Sequence, residues 1–285
     1  MKICLACGSV ASDEWTCRSC GWEAGKMEGY PAFALALALG NDGFKTEYFA
    51  ELAALEEKNF WFRARNRLIL WALDAFFSGA HDFMEVGCGT GYVLSGIRRA
   101  HPEMKLWGSE IFAAGLGFAA LRAKDAELIQ MDARRMPFRD EFEVIGAFDV
   151  LEHIEEDELV LGQMFHSLKP GGGIILTVPQ HPFMWSRQDA AACHVRRYTR
   201  RELAGKLKNA GFSVEMATSF VCLLFPLMML SRIAKREASD PMSELRLGKF
   251  ANTLFESVMK LERKLIEMEI QLPFGGSLLM VGRRP

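Results

Sequence analysis

Four cysteines within the first twenty residues have the types and spacing of a metal site. They form two Cys-x-x-Cys pairs, Cys4 with Cys7 and Cys17 with Cys20, and a glycine follows each pair directly. A Cys-x-x-Cys turn places two sulfur atoms on one side of a tight loop, and two such turns supply the four thiolates that Zn²⁺ prefers. A redox pair or free thiols are the alternatives, but the duplication of the pattern favours zinc. A ribbon this short has no core of its own, so the metal would supply its folding free energy.

A glycine-rich loop at residues 85–91, Glu-Val-Gly-Cys-Gly-Thr-Gly, follows a short apolar run and precedes a helical stretch. Glycines between a strand and a helix let the backbone approach a ligand closely. The dinucleotide-binding pattern G-x-G-x-x-G requires a glycine at position 92, where this sequence has Tyr92. The loop therefore predicts a cofactor site whose spacing is G-x-G-x-G, with an acidic residue two positions ahead of it.

Acidic residues stand at the ends of the next three predicted strands. Glu110 ends the second strand, where a carboxylate can accept hydrogen bonds from both ribose hydroxyls of an adenosine. Asp132 ends the third strand, where a carboxylate can accept a hydrogen bond from the adenine amino group. Asp149 follows the fourth strand. Any one of these acids is ordinary at a strand end, but their joint order and spacing indicate an adenosine-containing cofactor.

Histidines and arginines follow the fourth and fifth strands, at the edge of the sheet where ligands bind in open α/β folds. His153, His181 and His194 are candidates for a general base that deprotonates an acceptor, and a structural role is the alternative for each of them. Arg196 and Arg197 either bind an anionic group of a substrate or lie in solvent at the start of a helix.

Short apolar runs alternate with helical stretches from residue 81 onward. This alternation predicts a doubly wound α/β fold, in which a mostly parallel sheet is covered by helices on both faces. The last run follows Pro273-Phe274-Gly275-Gly276 and is expected to add a strand through a tight turn. The predicted strands are Phe83–Val86, Lys105–Ser109, Glu127–Gln130, Val144–Phe148, Gly173–Val178, Ser213–Thr218 and Ser277–Gly282.

Two segments flank or interrupt this pattern. Residues 26–80 are predicted to be a helical linker and lid, with an aromatic patch at 60–62 and three arginines, Arg63, Arg65 and Arg67, which we expect to lie in solvent. Residues 219–270 interrupt the sheet before its last strand. Because Phe220–Leu230 is apolar on nearly all sides, we favour a cap that packs internally over a surface that touches a membrane.

The bulk composition is that of a globular protein. The chain has 285 residues, of which half are hydrophobic and a quarter are charged. A net charge of −2 gives no general attraction for nucleic acid. The N-terminus lacks the apolar core of a signal peptide and no apolar run reaches the roughly 18 residues of a spanning helix, so we expect a cytoplasmic protein with reduced cysteines. We divide the chain into a zinc ribbon (1–25), a helical linker and lid (26–80) and a main domain (81–285) with a cap insertion at 219–270.

In these motifs the sequence resembles the class I S-adenosylmethionine-dependent methyltransferases, in particular the small-molecule group with E-V-G-C-G-T-G, L-E-H and K-P-G-G signatures. The resemblance extends over residues 45–285 and implies a seven-stranded sheet whose last strand runs antiparallel. The cofactor-binding positions it implies are Glu85, Gly87, Cys88, Gly89 and Gly91 for the methionine part, Glu110 for the ribose, Asp132 and Ala133 for the adenine, and Asp149 beside the fourth strand. The ribbon is not part of the common fold, so its role does not transfer.

Three functions follow from these observations. We favour methyl transfer to a small-molecule or lipid-linked acceptor, by analogy to a hydroxyl oxygen, by an enzyme in the cytoplasm or at the inner face of the membrane. The alternative is an RNA methyltransferase whose ribbon grips nucleic acid. Against it, the isoelectric point is about 6.3 and no Asn/Asp-Pro-Pro-Tyr segment follows the fourth strand. A non-enzymatic binding module fits least, because the cofactor motifs are intact. The oligomeric state stays open.

Overall fold

A computed structural model describes residues 1–39, 46–234 and 246–285. Residues 40–45 of the predicted linker and 235–245 of the predicted cap therefore lie outside the described residues. The nine strands of the described part form one sheet. Their bounds are β1 (Gly25–Met27), β2 (Tyr30–Ala32), β3 (Asp82–Val86), β4 (Lys105–Glu110), β5 (Glu127–Gln130), β6 (Phe142–Phe148), β7 (Leu168–Pro179), β8 (Ser213–Phe220) and β9 (Ser277–Arg283).

The strand order, β1-β2-β5-β4-β3-β6-β7-β9-β8, confirms the mostly parallel α/β fold. The chain runs outward from β3 through β4 to β5, then returns to pair β6 with the other side of β3. Ligands of open α/β sheets bind at such a reversal, beyond the carboxyl ends of the strands. The last strand, β9, lies antiparallel between β7 and β8, as the turn at 273–276 predicted.

The prediction of seven strands and of an entirely helical segment at 26–80 was wrong. The hairpin of β1 and β2 adds two short strands at the free edge of β5, where Ala32 pairs with Gln130 and the backbone N–H of Phe33 donates to the Gln130 carbonyl at 2.9 Å. The Gln130 side chain also accepts from the N–H of Ala34 and donates to its carbonyl, each at 2.9 Å. The hairpin forms because it satisfies edge groups of β5 that the helical prediction left unpaired.

Nine α-helices within the described residues surround the sheet. They are α1 (Tyr48–Leu55), α2 (Phe60–Phe77), α3 (Tyr92–Ala100), α4 (Ala113–Arg122), α5 (Asp157–Ser167), α6 (Arg187–Ala191), α7 (Arg200–Asn209), α8 (Phe225–Ala234) and α9 (Lys249–Glu267). One buried cluster joins one face of the sheet to α2, α3, α4 and α9, and a second joins the other face to α5 and α7. The sheet is therefore covered on both sides. Among the described residues, no helix combines the length and the apolar character needed to cross a membrane.

The cysteine-containing N-terminus packs on the second of these clusters through Trp15. The buried ring of Trp15 contacts the rings of Phe33 and Phe138, with centroids 4.7 and 5.4 Å away. The backbone N–H of Ile3 donates to the Pro137 carbonyl at 2.9 Å, and Arg135 donates to the Leu5 carbonyl. The N-terminus is thus joined to the loop that follows β5.

The arginines of α2 do not lie in solvent as a group. Arg63 and Arg67 both pair with Glu256 of α9, at 2.5 and 2.7 Å, and Arg65 is buried. The prediction of a solvated arginine face was therefore wrong for this helix. The acid that pairs with these arginines, Glu256, lies on α9 and is 193 residues from Arg63 in the sequence.

Candidate active site

The glycine loop joins β3 to α3 in the conformation that its glycines allow. Gly87, Gly89 and Gly91 all have positive φ, at 69°, 51° and 74°. A β-carbon on Gly87 would lie 2.5 Å from a methyl carbon of Val150, and one on Gly91 would lie 2.7 Å from the Cα of Ala119. The loop is therefore packed against the segment that follows β6 at Gly87 and against α4 at Gly91, and a side chain at either position would push the loop away from that neighbour.

Glu110, at the carboxyl end of β4, holds the loop from the side. Its carboxylate accepts from the backbone N–H of Gly89 at 3.0 Å, and from the N–H groups of Ile111 and Phe112 at 2.9 and 3.2 Å. Burial raises the pKa of this carboxyl group, and the three N–H groups oppose that rise. The sequence-predicted ribose contact thus also fixes the shape of the glycine loop.

Glu85 is buried at the start of the loop, and one of its carboxylate oxygens has no hydrogen-bond partner among the described residues. Burial raises its pKa well above the usual range, while the positive charge of Arg65 lowers it. A buried carboxylate oxygen without a partner is costly unless a ligand satisfies it. The chemistry of this position therefore fits a ligand that brings a hydrogen-bond donor or a positive charge, such as an amino acid ammonium group.

The other predicted cofactor contacts lie along the same edge. The side chain of Cys88 lies in the core, and its backbone N–H donates to the backbone carbonyl of Ser109 at 2.8 Å. The Asp132 carboxylate accepts three hydrogen bonds from the guanidinium of Arg134, at 3.0, 3.1 and 2.8 Å, and Ala133 is buried next to it. An adenine contact at Asp132 would share the carboxylate with Arg134.

Asp149 follows β6 with a positive φ of 58° and pairs with two side chains. The hydroxyl of Thr177 donates to it at 3.1 Å, and Arg65 of α2 forms an ion pair with it. Arg65 also lies over the ring of Trp61, 4.5 Å from its centroid. Through Arg65 the predicted lid helix reaches the reversal point of the sheet, a role that the sequence analysis did not assign to it.

A second part of the predicted lid covers the glycine loop. The ring of Phe49 on α1 lies 3.9 Å from the position of a Gly89 β-carbon. Next to it, the buried carboxylate of Glu56 accepts from the Thr90 hydroxyl at 2.6 Å and pairs with Arg122. The lid is therefore attached to the loop by packing and by charge.

Two of the three predicted histidines lie together. The rings of His153 and His194 are 4.7 Å apart, and the Nδ1 of His194 is 3.1 Å from the buried carboxylate of Asp189. The backbone N–H of Val195 donates to the Glu152 carbonyl at 2.7 Å, which joins the two segments. Burial, and then the charge of His194, lowers the pKa of His153 to about 4.

Glu152 completes this cluster, and the sequence analysis did not single it out. It is fully buried, and neither carboxylate oxygen has a hydrogen-bond partner among the described residues. Burial, followed by the charge of Asp149, raises its pKa well above the usual range. The ligand atoms of Glu152, His153 and His194 all lie within 4.8 Å of one another. Such a group can relay a proton or hold a divalent cation.

His181 lies in a different environment. Its ring packs among Phe183, Phe225 and Phe274, with centroids 5.0, 5.6 and 6.0 Å away. Burial, and then Arg197, lowers its pKa. The aromatic cluster at His181 therefore forms an apolar wall beside the end of β7. The His181 ring is in contact with phenylalanine rings, whereas the His153 ring is in contact with the ring of His194.

The two arginines after His194 form internal ion pairs. Arg197 is buried and donates to Asp189 through Nε at 2.7 Å, while Arg196 lies 2.8 Å from Asp157. The interpretation of a solvated helix start is wrong for Arg197, and the anion that it binds in this structure is the protein's own Asp189. Asp189 thus connects Arg197 to His194, and only the fold shows this connection.

The four N-terminal cysteines converge, with all four sulfur atoms within 4.8 Å of one another. The sulfurs of Cys4 and Cys20 are 3.7 Å apart and those of Cys7 and Cys17 are 3.6 Å apart. Both distances are too long for a disulfide bond, which needs about 2 Å. The glycines after each pair, Gly8 and Gly21, have φ near 75°, so the two turns share one shape.

The lowered pKa of His153 predicts a pH-dependent loss of stability. Between about pH 6.5 and pH 4 the unfolded chain binds a proton at this histidine that the folded chain does not, so the free energy of unfolding falls as the pH falls through that window. We expect His153→Gln to remove this pH dependence, which in wild type lowers the free energy of unfolding by about 3 kcal/mol over the whole window. Urea denaturation at several pH values measures it, with His166→Gln on the exposed side of α5 as the matched control. Equal slopes for wild type and His153→Gln would contradict the prediction.

Comparison with known proteins agrees with this geometry. The family model described as a methyltransferase domain matches residues 50–217. A probable S-adenosylmethionine-dependent methyltransferase from Mycolicibacterium smegmatis is 28% identical over 190 residues, which cover 66% of this chain and 70% of the relative.

Solved structures show the same fold. One is the complex between the Haloferax volcanii Trm112 methyltransferase activator and a putative methyltransferase, with a TM-score of 0.57 and 16% identity over 84% of this chain and 95% of that one. Another is phosphoethanolamine N-methyltransferase 2 of Haemonchus contortus with phosphomonomethylethanolamine and S-adenosylhomocysteine, with a TM-score of 0.52 and 16% identity over 77% of this chain and 52% of that one. With its family match over more than half of the chain, the protein belongs to the methyltransferase-domain family and is an S-adenosylmethionine-dependent methyltransferase.

Proposed function

We propose that this enzyme transfers a methyl group to a hydroxyl oxygen of a small-molecule or lipid-linked acceptor, with His194 as the general base. The observation that carries the proposal is the pair formed by His194 and the buried Asp189, beside the ring of His153. S-adenosylmethionine supplies an activated methyl group when it is bound. The chain's own residues must position the acceptor and take its proton.

The cofactor is proposed to lie across the reversal point of the sheet. Glu85 would bind the ammonium group of the methionine part there, and the backbone of Gly87, Cys88, Gly89 and Gly91 would line that part. Glu110 would accept hydrogen bonds from the ribose hydroxyls, Asp132 and Ala133 would hold the adenine, and Asp149 would border the site. The unpartnered oxygen of Glu85 supports this placement, because the ammonium group answers its need for a donor.

His194 is a better base than His153 for a physical reason. The carboxylate of Asp189 orients the His194 ring through Nδ1, so that the opposite nitrogen is the one that would take the proton of the acceptor. His153 has a pKa of about 4 and is therefore a weak base near neutral pH. We assign His153 the role of positioning the His194 ring, which it contacts.

The aromatic cluster at His181 supports an apolar acceptor. Phe183 and Phe274 are exposed, and Trp185 nearby is exposed as well. Exposed aromatic side chains at the edge of a binding site favour an acceptor with an apolar body, such as an aromatic ring or a lipid chain. The RNA alternative has less support, because the ribbon buries Trp15 against its own domain and so does not present that ring to nucleic acid.

The acceptor class is testable with radioactive cofactor. Purified enzyme is incubated with methyl-labelled S-adenosylmethionine and separated RNA, lipid and small-molecule fractions of a cell extract. We expect label in the lipid or small-molecule fraction, as a base-stable ether and not as an alkali-labile ester. Label in RNA would establish the alternative function.

We predict that Glu110→Gln weakens S-adenosylmethionine binding by about tenfold or more. One amide oxygen cannot replace a carboxylate that accepts from three backbone N–H groups, and the loss of a charged acceptor costs about 1.5–3 kcal/mol. Titration calorimetry measures the change in Kd. Glu127→Gln, at the exposed start of β5, is the control and should bind as wild type does. Undiminished binding by Glu110→Gln would remove Glu110 from the site.

We predict that His194→Asn lowers kcat by about 10²–10⁴-fold near neutral pH, which is the range for loss of a general base. The Kd for S-adenosylmethionine should stay within about twofold, and the variant should regain activity as the pH rises and the acceptor ionises by itself. Single-turnover kinetics across pH provide the measurement, with His166→Asn as the control. Wild-type turnover in His194→Asn would show that proximity alone carries the reaction. Activity lost to a chelator and restored by Mg²⁺ would instead assign Glu152, His153 and His194 to a divalent cation.

We also propose that Cys4, Cys7, Cys17 and Cys20 bind one zinc ion per chain. A tetrahedral site with Zn–S bonds of about 2.3 Å separates its sulfur atoms by about 3.8 Å. The two measured separations, 3.7 and 3.6 Å, are close to that value. The ribbon contacts the loop after β5 and lies on the sheet edge, so we infer that it stabilises the enzyme and takes no part in the chemistry.

Removal of two ligands tests the zinc proposal. In Cys4→Ser with Cys17→Ser we expect the zinc content to fall from about one per chain to near zero, since two serines leave too few thiolates. The melting temperature should fall by roughly 5 °C or more, because about 1 kcal/mol shifts it by about 2–4 °C at this size. Cys193→Ser, outside the ribbon, is the control for both measurements. Wild-type protein without zinc would refute the site, and loss of turnover in a folded, zinc-free variant at low temperature would refute the structural role.

A further inference from the structure

Helix α9 presents a row of large apolar side chains to solvent. Phe250, Leu254, Leu261 and Met268, the last just past the helix end, are 84, 50, 56 and 70% exposed. Successive members are separated by four or seven residues, so all four lie on one side of a helix with 3.6 residues per turn, over about 27 Å. Exposed leucines are common singly, but a row of this length on one helix face indicates an interaction surface.

The opposite side of α9 explains why this row faces outward. Met259, Glu262 and Ile266 are buried, and Glu262 accepts from the backbone N–H groups of Val221 and Cys222 at 2.5 and 2.6 Å. On the same inner side, the ring of Phe255 packs on that of Phe60 with centroids 5.3 Å apart. The orientation of α9 is therefore fixed by its own domain, and the row cannot turn inward without breaking these contacts.

Helix α8 and the residues around it carry more exposed apolar side chains. Leu223, Leu227 and Leu230 are all exposed. Phe225, at the start of α8, packs on the His181 ring, which in turn lies beside the exposed Phe274. The apolar positions of α8 thus begin at the aromatic cluster that we assign to the acceptor side of the active site.

The charges on the outer side of α9 are positive. Lys249, Lys260 and Lys264 are exposed, and helical spacing places them along one border of the apolar row. Two acids of the helix are paired with arginines: Glu256 with Arg63 and Arg67 of α2, and Glu267 with Arg263 of α9 itself at 2.5 Å. One exposed acid, Glu269, lies just past the end of the helix. An apolar row bordered by lysines complements an anionic lipid surface, in which the side chains insert while the ammonium groups stay at the headgroups.

We propose that α9, with the exposed leucines of α8, docks this enzyme on the surface of an anionic membrane. A second copy of the chain is a poorer partner for the same row. Leu254, Leu261 and Met268 repeat every seven residues, and in one register the other seam positions of such a repeat are Ala251, Val258 and Leu265. These three residues are partly buried by the enzyme's own domain, so the full seam is not available to a second copy. Docking there brings the His181 aromatic cluster toward the lipid. The proposal holds whether or not the acceptor is itself a lipid.

Sedimentation with lipid vesicles tests the docking surface. Vesicles of phosphatidylcholine containing roughly one third phosphatidylglycerol should bind the full chain, and pure phosphatidylcholine should bind it about tenfold less. We expect Phe250→Glu with Leu254→Glu to reduce binding at least tenfold, and Lys260→Glu with Lys264→Glu to remove the preference for anionic lipid. The control is Leu159→Glu on α5, which is also 50% exposed but lies on the other face of the sheet.

The variants must keep their fold and their cofactor site, which unchanged melting temperature and S-adenosylmethionine Kd establish. Failure of wild type to bind anionic vesicles would overturn the proposal, as would equal loss of binding in Leu159→Glu. A dimer in light scattering that Phe250→Glu with Leu254→Glu converts to monomer would assign the row to a second copy instead. None of these results depends on methyl transfer, so they are separate from a failure of the proposed activity.

Discussion

Buried carboxylates along one edge of the sheet are unfavourable unless they are paired, and this requirement determines how the surrounding elements are arranged. Each acid there needs a donor or a cation, because a buried charge without a partner destabilises the fold by several kcal/mol. Glu110 is satisfied by three backbone N–H groups, Asp149 by Arg65 and Thr177, and Asp189 by Arg197 and His194. Two acids, Glu85 and Glu152, retain oxygens without hydrogen-bond partners among the described residues. They lie on either side of the reversal between β3 and β6, where this fold binds ligands.

The same constraint ties distant parts of the chain to that edge. Arg65 brings α2 to Asp149, and Glu56 beside α1 is held by Arg122 and Thr90. The lid is therefore attached by ion pairs, whose strength depends on what else occupies the site, since a cofactor changes both the charge and the amount of water around them. The N-terminal ribbon is attached by the apolar contacts of Trp15 and by polar groups as well, since the Met1 ammonium group pairs with Glu141 and Arg135 donates to the Leu5 carbonyl.

The sequence predicted the parts of this arrangement that depend on local pattern. Six of the seven central strands were predicted to within two residues at each end, because short apolar runs report burial directly, whereas β7 begins five residues before its predicted start. The Cys-x-x-Cys pairs and the glycine loop were recognisable because their geometry is set within a few residues of chain. The hairpin of β1 and β2 was missed because three-residue strands have no pattern of their own and depend on the edge of β5. The partners of Arg65, Arg67 and Arg197 were missed because charge pairing across the fold leaves no signal in spacing.

The cap shows most clearly where composition stops being informative. Phe220–Leu230 is apolar enough for a core, yet Leu223, Leu227 and Leu230 are exposed while Phe220 and Val221 are buried. The reason is geometric: α2, α3 and α4 already cover one face of the sheet, and α5 and α7 the other. A helix added outside those layers buries one side against the protein, and its other side faces solvent or a partner. Apolar content alone cannot distinguish a residue in the core from a residue on a surface that a partner covers. That distinction needs the layers around it, and here they place the outer sides of α8 and α9 beyond the reach of the chain's own core.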